Sequence, residues 1–210
     1  VTDAHHVKVN DTVYAGDYIM IAAGSSPAVP PIPGAEQKHV LTSKEILSID
    51  AVPKKLAVIG GGVIGMEFAS FFSSVGSEVH VVEMLDEILP LTDKEFAKLM
   101  RREMKQVKFH LGCRVEKIDE KQVHFTNKKG KAESIEADTV LMSVGRRPNV
   151  QGFENIGLDI DSGRIVVDER MRTNIPSIYA VGDVNGTSLL AHSASRMGEV
   201  AVANMFGDGD

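Results

Sequence analysis

The sequence has one cysteine, Cys113, so no internal disulfide can form, and a reducing, cytoplasmic setting is the expectation. It has no apolar run of the length that crosses a bilayer and no secretory leader pattern, so no membrane partner is expected. It also lacks a basic excess. A net charge of -6 argues against nucleic acid and anionic lipid, both of which attract cationic surfaces. That charge does not exclude a pyrophosphate ligand, because backbone N–H groups bind phosphate without help from side chains. None of the seven histidines shows ligand spacing with a carboxylate or thiol, so no metal site is expected. No internal repeat of solenoid length is present. The 210 residues, 43% of them hydrophobic, suffice for one large domain or two small ones. The chain opens at Val1 in what reads as the middle of a hairpin, and is read as an excised piece of something longer.

Two short strand-like runs, residues 7–9 and 12–14, flank the turn pair Asn10-Asp11. Residues 18–23 form an apolar run of buried-strand length. Four prolines in residues 27–34 mark an extended linker, where a domain boundary is placed. Thr42-Ser43 ahead of residues 44–48 suggests a short capped helix. Residues 55–59, 78–82 and 107–110 read as buried strands. Between them lie two helical segments: residues 63–75, with Ile64, Phe68, Phe71, Phe72 and Val75 near one face, and residues 93–104, capped by Asp93. Strand, helix, strand, helix, strand is the unit of a doubly wound parallel sheet. The pattern then changes to three alternating runs, residues 114–118, 122–126 and 132–137, a β-meander standing where a crossover helix is usual. Further strands are expected at 139–144 and 177–181, and a last helix at 189–206.

Gly60, Gly62 and Gly65 spell G-x-G-x-x-G between a strand and a helix, the context that gives this pattern meaning. The first glycine serves a sharp turn, the second lets a pyrophosphate approach the backbone, and the third lets the helix pack closely. The N–H groups around residues 62–64 then face the phosphates with the positive end of the helix dipole. Glu83 ends the next strand, 18 residues past Gly65 (83 − 65). A carboxylate there accepts hydrogen bonds from ribose hydroxyls and repels a 2′-phosphate, and the next basic residue is Lys94. The expected ligand is therefore NAD(H) rather than NADP(H); the plainer alternative is a solvated glutamate at a strand end.

The phrases IGGGVIGMEFASFFSSVGSEVHVVE, SVGRRPN, IYAVGDV and LLAHSASRMGEVAVANMFG resemble the flavin-dependent pyridine nucleotide–disulfide oxidoreductases, across essentially the whole chain. Within that family the match is closest to the dihydrolipoyl dehydrogenases. The resemblance implies an α/β, Rossmann-like FAD/NAD(P)-binding fold with a parallel sheet and a β-meander crossover. It implies an NAD-binding domain over residues 29–149, flanked by two partial pieces of an FAD domain, residues 1–28 and 150–210. It implies that Gly60, Gly61, Gly62, Val63, Ile64, Gly65 and Glu67 wrap the NAD pyrophosphate and reach toward the nicotinamide. Glu83 would hold the ribose, and Val115 and Gly145 would line the NAD site. Ala23, Gly24 and Ser25 would cross between domains beside the flavin, with Ala23 replacing the usual Thr. Asp183 would bind the ribityl chain of FAD, and Leu189, Leu190, Ala191 and His192 would pack against the flavin ring. Ala191, Ala194, Gly198 and Ala201 form a small-residue stripe that suits either a closely approaching ligand or plain packing on a sheet.

The resemblance also implies a parent reaction in which protein-bound dihydrolipoamide is oxidised and electrons pass through an enzyme disulfide and FAD to NAD+. The parent is expected to be a homodimer associated with a 2-oxo acid dehydrogenase complex. The family's redox cysteine pair, first glycine-rich turn and acid–base histidine have no counterpart in these 210 residues. Cys113, after Gly112 at a strand start, reads as a structural thiol rather than a reactive one. No catalytic residue is therefore assigned, and the chain alone is expected to be inactive. Its apolar flanks are expected to self-associate or to lose order. Two alternatives stay open: a piece of another family member (a soluble transhydrogenase, a mercuric reductase or a peroxidase), and a nucleotide-binding module without chemistry.

Overall fold

The computed structural model describes residues 1–207. In chain order the strands are β1 (His6–Val9), β2 (Thr12–Ala15), β3 (Ile19–Ile21), β4 (Ser25–Pro27), β5 (Val40–Thr42), β6 (Lys55–Ile59), β7 (Glu78–Glu83), β8 (Val107–Leu111), β9 (Arg114–Ile118), β10 (Gln122–Thr126), β11 (Ala132–Glu136), β12 (Thr139–Met142), β13 (Arg146–Pro148), β14 (Ile160–Asp161), β15 (Arg164–Ile165) and β16 (Ile178–Ala180). The helices are α1 (Val63–Ser74), α2 (Lys94–Glu103) and α3 (Ala191–Phe206). They form two compact units, residues 27–145 and residues 1–26 with 146–210.

In the 27–145 unit, five parallel strands run in the order β5-β12-β6-β7-β8. Strand side chains alternate between faces, and both faces are covered. Leu56, Val58, Val79, Val81 and Leu141 point to one side and pack with Met66, Ala69 and Phe72 of α1 and Ala97 of α2. Ala57, Ile59, Val82, Val140 and Met142 point to the other and pack with Ile118, Val123, Phe125 and Ile135 of the meander, ordered β11-β10-β9. The meander thus replaces a crossover helix as a cover, and its central strand β10 alternates buried Val123 and Phe125 with polar residues.

Three local expectations need correction. The buried stripe of α1 is Gly65, Met66, Ala69 and Phe72, while Phe71 is 57% exposed and Val75 lies outside the helix. Gly65 and Ala69 share the sheet-facing side with Met66 and Phe72, and Phe71 is left on the exposed flank. The capped helix at 44–48 is only a 3-10 turn, Ile46–Ser48, and the Glu45 carboxylate ahead of it accepts from the N–H and hydroxyl of Thr42. The last helix begins at Ala191, so Leu189 precedes it and Leu190 sits at its N-cap position. By contrast, Asp93 caps α2 as its residue type dictates, accepting from Glu95 N–H at 2.9 Å.

In the other unit, β3 and β16 pair in parallel, Ile19 opposite Ile178. Residues 18–23 yield only the three-residue β3, with Tyr18 exposed. Ile19, Ile21, Ile178 and Ala180 pack with Leu158, Ile165 and Val184. On the opposite face Tyr179 and Val181 meet Met197, Ala201 and Met205 of α3. The small-residue stripe therefore divides: Ala201 is fully buried among these methionines, Ala194 and Gly198 are half-buried, and Ala191 is exposed.

Candidate functional site

In the 27–145 unit the chain leaves β6 at Ile59, turns through Gly60 and Gly61, and enters α1 with Gly62 as N-cap. Gly60 has φ +104°, and a Cβ there would lie 2.5 Å from the Ser143 carbonyl oxygen. A Cβ on Gly65 would lie 2.1 Å from the Gly60 carbonyl oxygen, so this glycine seats the helix directly on the turn. Gly62 differs, with no atom within 4 Å of where its Cβ would stand. The first intrahelical bond runs from Met66 N–H to the Gly62 carbonyl, 2.9 Å. The N–H groups ahead of it have no acceptor within the helix and face the open side of the turn, where the dipole favours an anion.

Glu83 is 8% exposed at the end of β7. Its Oε2 accepts from Gly61 N–H at 2.5 Å and its Oε1 from Leu85 N–H at 2.7 Å. The carboxylate is thus fastened to the glycine turn rather than solvated at a strand end. Ser143 braces the same turn from β12: its N–H donates to the Ile59 carbonyl at 2.8 Å, and its hydroxyl lies 3.0 Å from that oxygen and 3.1 Å from the Gly60 carbonyl.

The other unit has its own polar cluster. Ser25 Oγ donates to Asp183 Oδ2 at 2.5 Å, and Arg146 holds Ser25 twice, Nε to Oγ and Nη2 to the carbonyl, both at 2.7 Å. Asn149 donates from Nδ2 to the Ala23 carbonyl and accepts from Ser26 Oγ, both at 2.8 Å, and its N–H reaches the Gly24 carbonyl at 2.9 Å. Asp183 is the second residue of a 3-10 turn, Gly182–Asn185, after β16, held in place by Asn185 Nδ2 bonding the Ala180 carbonyl at 3.0 Å. Leu189 and Leu190 are 52% and 54% exposed, and Ala191 and His192 are exposed beside them.

Residues 1–198 match the sequence model of the family described as pyridine nucleotide-disulphide oxidoreductase. The chain belongs to this family. Among curated members of the pyridine nucleotide-disulphide oxidoreductases, it is 40% identical to a dihydrolipoyl dehydrogenase of Acholeplasma laidlawii, over 98% of this chain and 63% of that protein. It is 43% identical to a dihydrolipoamide dehydrogenase of Chaetomium thermophilum, over 92% of this chain and 42% of that one. A solved structure, the HOCl-induced flavoprotein disulfide reductase RclA of Escherichia coli, superposes with TM-score 0.90 at 29% identity, covering all of this chain and 50% of that one. The chain thus spans between about two fifths and two thirds of the length of these oxidoreductases. The expected Rossmann-like α/β fold with its parallel sheet is present, and the family resemblance holds.

The remaining expected site residues fall as follows. Val63 and Glu67 are exposed on α1 and Ile64 is half-buried. Glu67 borders an apolar groove formed with Ile46, Leu47, Val52, Phe68 and Phe71. Val115 is packed on the meander core, and Gly145 follows β12 with φ +116°, its carbonyl accepting from Ala28 N–H at 2.9 Å. Cys113 is buried, its thiol 3.4 Å from the Leu111 carbonyl, and burial pushes its pKa up, away from the reactive thiolate. No group of three or more His, Cys, Asp or Glu that could hold a metal occurs among the described residues, nor does a helix long and apolar enough to cross a membrane. Sequence reading assigned no role to Ser143, Arg146 or Asn149. All three stand in the phrase SVGRRPN, whose polar side chains at a strand end were the available signal.

Proposed function

We propose that residues 27–145 bind NAD(H), and that the chain is the NAD(H)-binding central part of a flavin-dependent dihydrolipoyl dehydrogenase. One observation carries the nucleotide half of this reading: the buried Glu83 carboxylate is bonded to the N–H of Gly61, one residue from the open backbone of Gly62. A diphosphate on the α1 N-terminus would leave the attached ribose within the field of that carboxylate, which favours free hydroxyls and disfavours a 2′-phosphate. Gly62, Val63 and Ile64 would hold the diphosphate, and Glu83 the ribose.

The flavin half rests on the second cluster. Asp183 stands at the carboxyl end of β16, where ligands of such sheets bind, with Oδ2 committed to Ser25. Asp183 would hold the ribityl hydroxyls, and the exposed Leu189–His192 segment would lie against the ring. FAD supplies electron transfer between a dithiol and the nicotinamide. The chain's own thiol chemistry ends with one buried cysteine, which cannot form an intramolecular redox disulfide, and the reading therefore gives these residues alone no dihydrolipoamide oxidation. In the whole protein the same reading includes a homodimer and association with a 2-oxo acid dehydrogenase complex.

A second reading is favoured by the likeness to RclA: a flavoprotein disulfide reductase acting on another substrate. Both readings share the nucleotide site, and titration with NADH and NADPH, followed by nucleotide fluorescence, tests it. NADH is expected to bind the tighter of the two, and Glu83→Ala is expected to weaken it by about 1–3 kcal/mol, the effect of losing a charged hydrogen-bond partner. Equal binding of both nucleotides, unchanged by the substitution, would remove Glu83 from the role.

A further inference from the structure

The loop that follows Glu83 contains a strained residue. Leu89 has φ +52°, in the left-handed region that a branched side chain avoids. Such a conformation persists only where the surroundings over-determine it. Here they do, and every tie leads to the glycine turn or away from it. Leu89 N–H donates to the Gly61 carbonyl at 2.8 Å, and Thr92 N–H donates to the Leu89 carbonyl at the same distance. The preceding residue, Ile88, is buried, with its Cγ2 placed 3.0 Å from where a Cβ on Gly61 would stand. Gly61 is therefore gripped from both sides, its N–H by Glu83 and its C=O by Leu89.

The loop's own anchor lies one residue further back. Glu87 accepts Arg101 Nε on Oε1 at 2.9 Å and Arg101 Nη2 on Oε2 at 3.0 Å, while Oε1 also accepts Ile88 N–H at 3.1 Å. This is a two-pronged guanidinium–carboxylate bond, the strong and directional form of an ion pair. The Glu87 side chain is 13% exposed, so water competes weakly for it. Arg101 projects from α2 one turn after Ala97, on the side of the helix that packs on the sheet through Ala97 and Met100. A rigid helix thus holds a strained loop against the backbone of the turn.

We propose that Arg101 and Glu87 are positioning residues for the nucleotide-binding turn: by holding Leu89 in its left-handed conformation they set the Gly61 peptide, and through it the direction of the N–H groups that meet the diphosphate. This rests on the NAD(H) reading above. The pair acts on the turn through Ile88, Leu89 and Gly61.

The test uses the chain as it stands, with two measurements on Arg101→Met, Arg101→Lys, Glu87→Gln and the double variant Glu87→Gln/Arg101→Met. The first is NADH affinity by fluorescence, taken where circular dichroism shows each variant folded. Arg101→Met and Glu87→Gln are each expected to weaken NADH by about tenfold. The double variant should be no worse than either single change, because one bond cannot be lost twice. Arg101→Lys should recover only part of the loss, since a lysine cannot supply the fork. The second measurement is amide hydrogen exchange without ligand. The Leu89 amide should exchange about tenfold faster in Arg101→Met, with the β7 amides of Val79 and Val81 unchanged. A lowered melting temperature with NADH affinity and Leu89 exchange both unaltered would reduce the pair to a fastening for α2 and overturn the proposal. Failure of the unaltered chain to bind NADH would instead overturn the nucleotide reading on which the proposal rests, and the exchange data, which need no ligand, tell the two failures apart.

Discussion

Gly65 and Glu83 show how much a single position decides. A methyl group on Gly65 would enter the carbonyl of Gly60 at 2.1 Å and the hydroxyl of Ser143 at 2.8 Å. The first of these neighbours is backbone and cannot rotate away, so α1 must lift from the turn. Gly65→Ala is expected to cost about 1–3 kcal/mol, the usual range for overpacking, read as a lowered urea midpoint with an unchanged slope. NADH affinity should fall with it, because the helix start moves. Both residues were legible in the sequence because each has one chemical job at a fixed spacing. Ser143, Arg146 and Leu89 were not legible in the same way. Their roles arise from bonds across 84, 121 and 28 residues of chain (143 − 59, 146 − 25, 89 − 61), and no local pattern records such pairings.

The helices and strands were read from periodicity, and errors followed where periodicity is blind. The face of α1 was placed on its aromatics, yet the side facing the sheet is Gly65, Met66, Ala69 and Phe72, and Phe71 is left outside. Short elements such as β14, β15 and the Gly182–Asn185 turn give too few residues for a period to show. Neighbouring strands also create chemistry that neither carries alone. His80 on β7 and His110 on β8 stack with rings 5.3 Å apart, and His80 Nδ1 lies 3.0 Å from His110 Nε2. Phe125 of the meander covers His110 at 5.0 Å. Burial holds the His110 pKa below its usual value, assisted by His80 and by Lys108 and opposed by Glu133; Glu78 bonds His80 from the far side. The folded chain therefore takes up this proton less readily than the unfolded chain. The stabilisation is complete above about pH 6.5, the ordinary histidine value, and is lost as the pH falls below it toward the depressed folded value. Melting temperature should decline between pH 7.5 and 5.5, and His110→Gln should flatten that decline. An identical slope in the variant would locate the pH sensitivity elsewhere.

At the scale of the molecule, each unit has its own apolar cores, two in residues 27–145 and two in the remainder. A ligand stabilises only what must be folded to bind it. NADH at about 100 times its dissociation constant contributes about 2.7 kcal/mol, roughly a hundredfold slowing of exchange for amides that open by unfolding the unit. That slowing is expected in β6, β7 and β12, with the amides of β3 and β16 unaffected. Equal slowing in both units would mean that the nucleotide site draws on residues outside 27–145. The parallel sheet was legible from its alternating strand–helix order. What the sequence alone left open was how the two flanks at either end of the chain combine. The answer is a two-stranded parallel pair, Ile19 beside Ile178, joining residues 159 apart (178 − 19), together with the bonds that tie Ala23, Ser25 and Ser26 to Arg146, Asn149 and Asp183.

The meander has a consequence for how this unit tolerates change in chain length. Its β10–β11 tip, residues 127–131, is closed by Asn127, whose side chain accepts the N–H groups of Lys129 and Lys131. The tip hangs on the sheet face opposite α1; Ile118 of β9, Val123 and Phe125 of β10 and Ile135 of β11 anchor the meander to the core, and Lys128 Nζ at the tip bonds Asp86 at 3.2 Å. Extra residues spliced in at Lys129-Gly130, both exposed, would lengthen a hairpin at its free end. A crossover helix in the same place would have had to shift along its whole length to accept them.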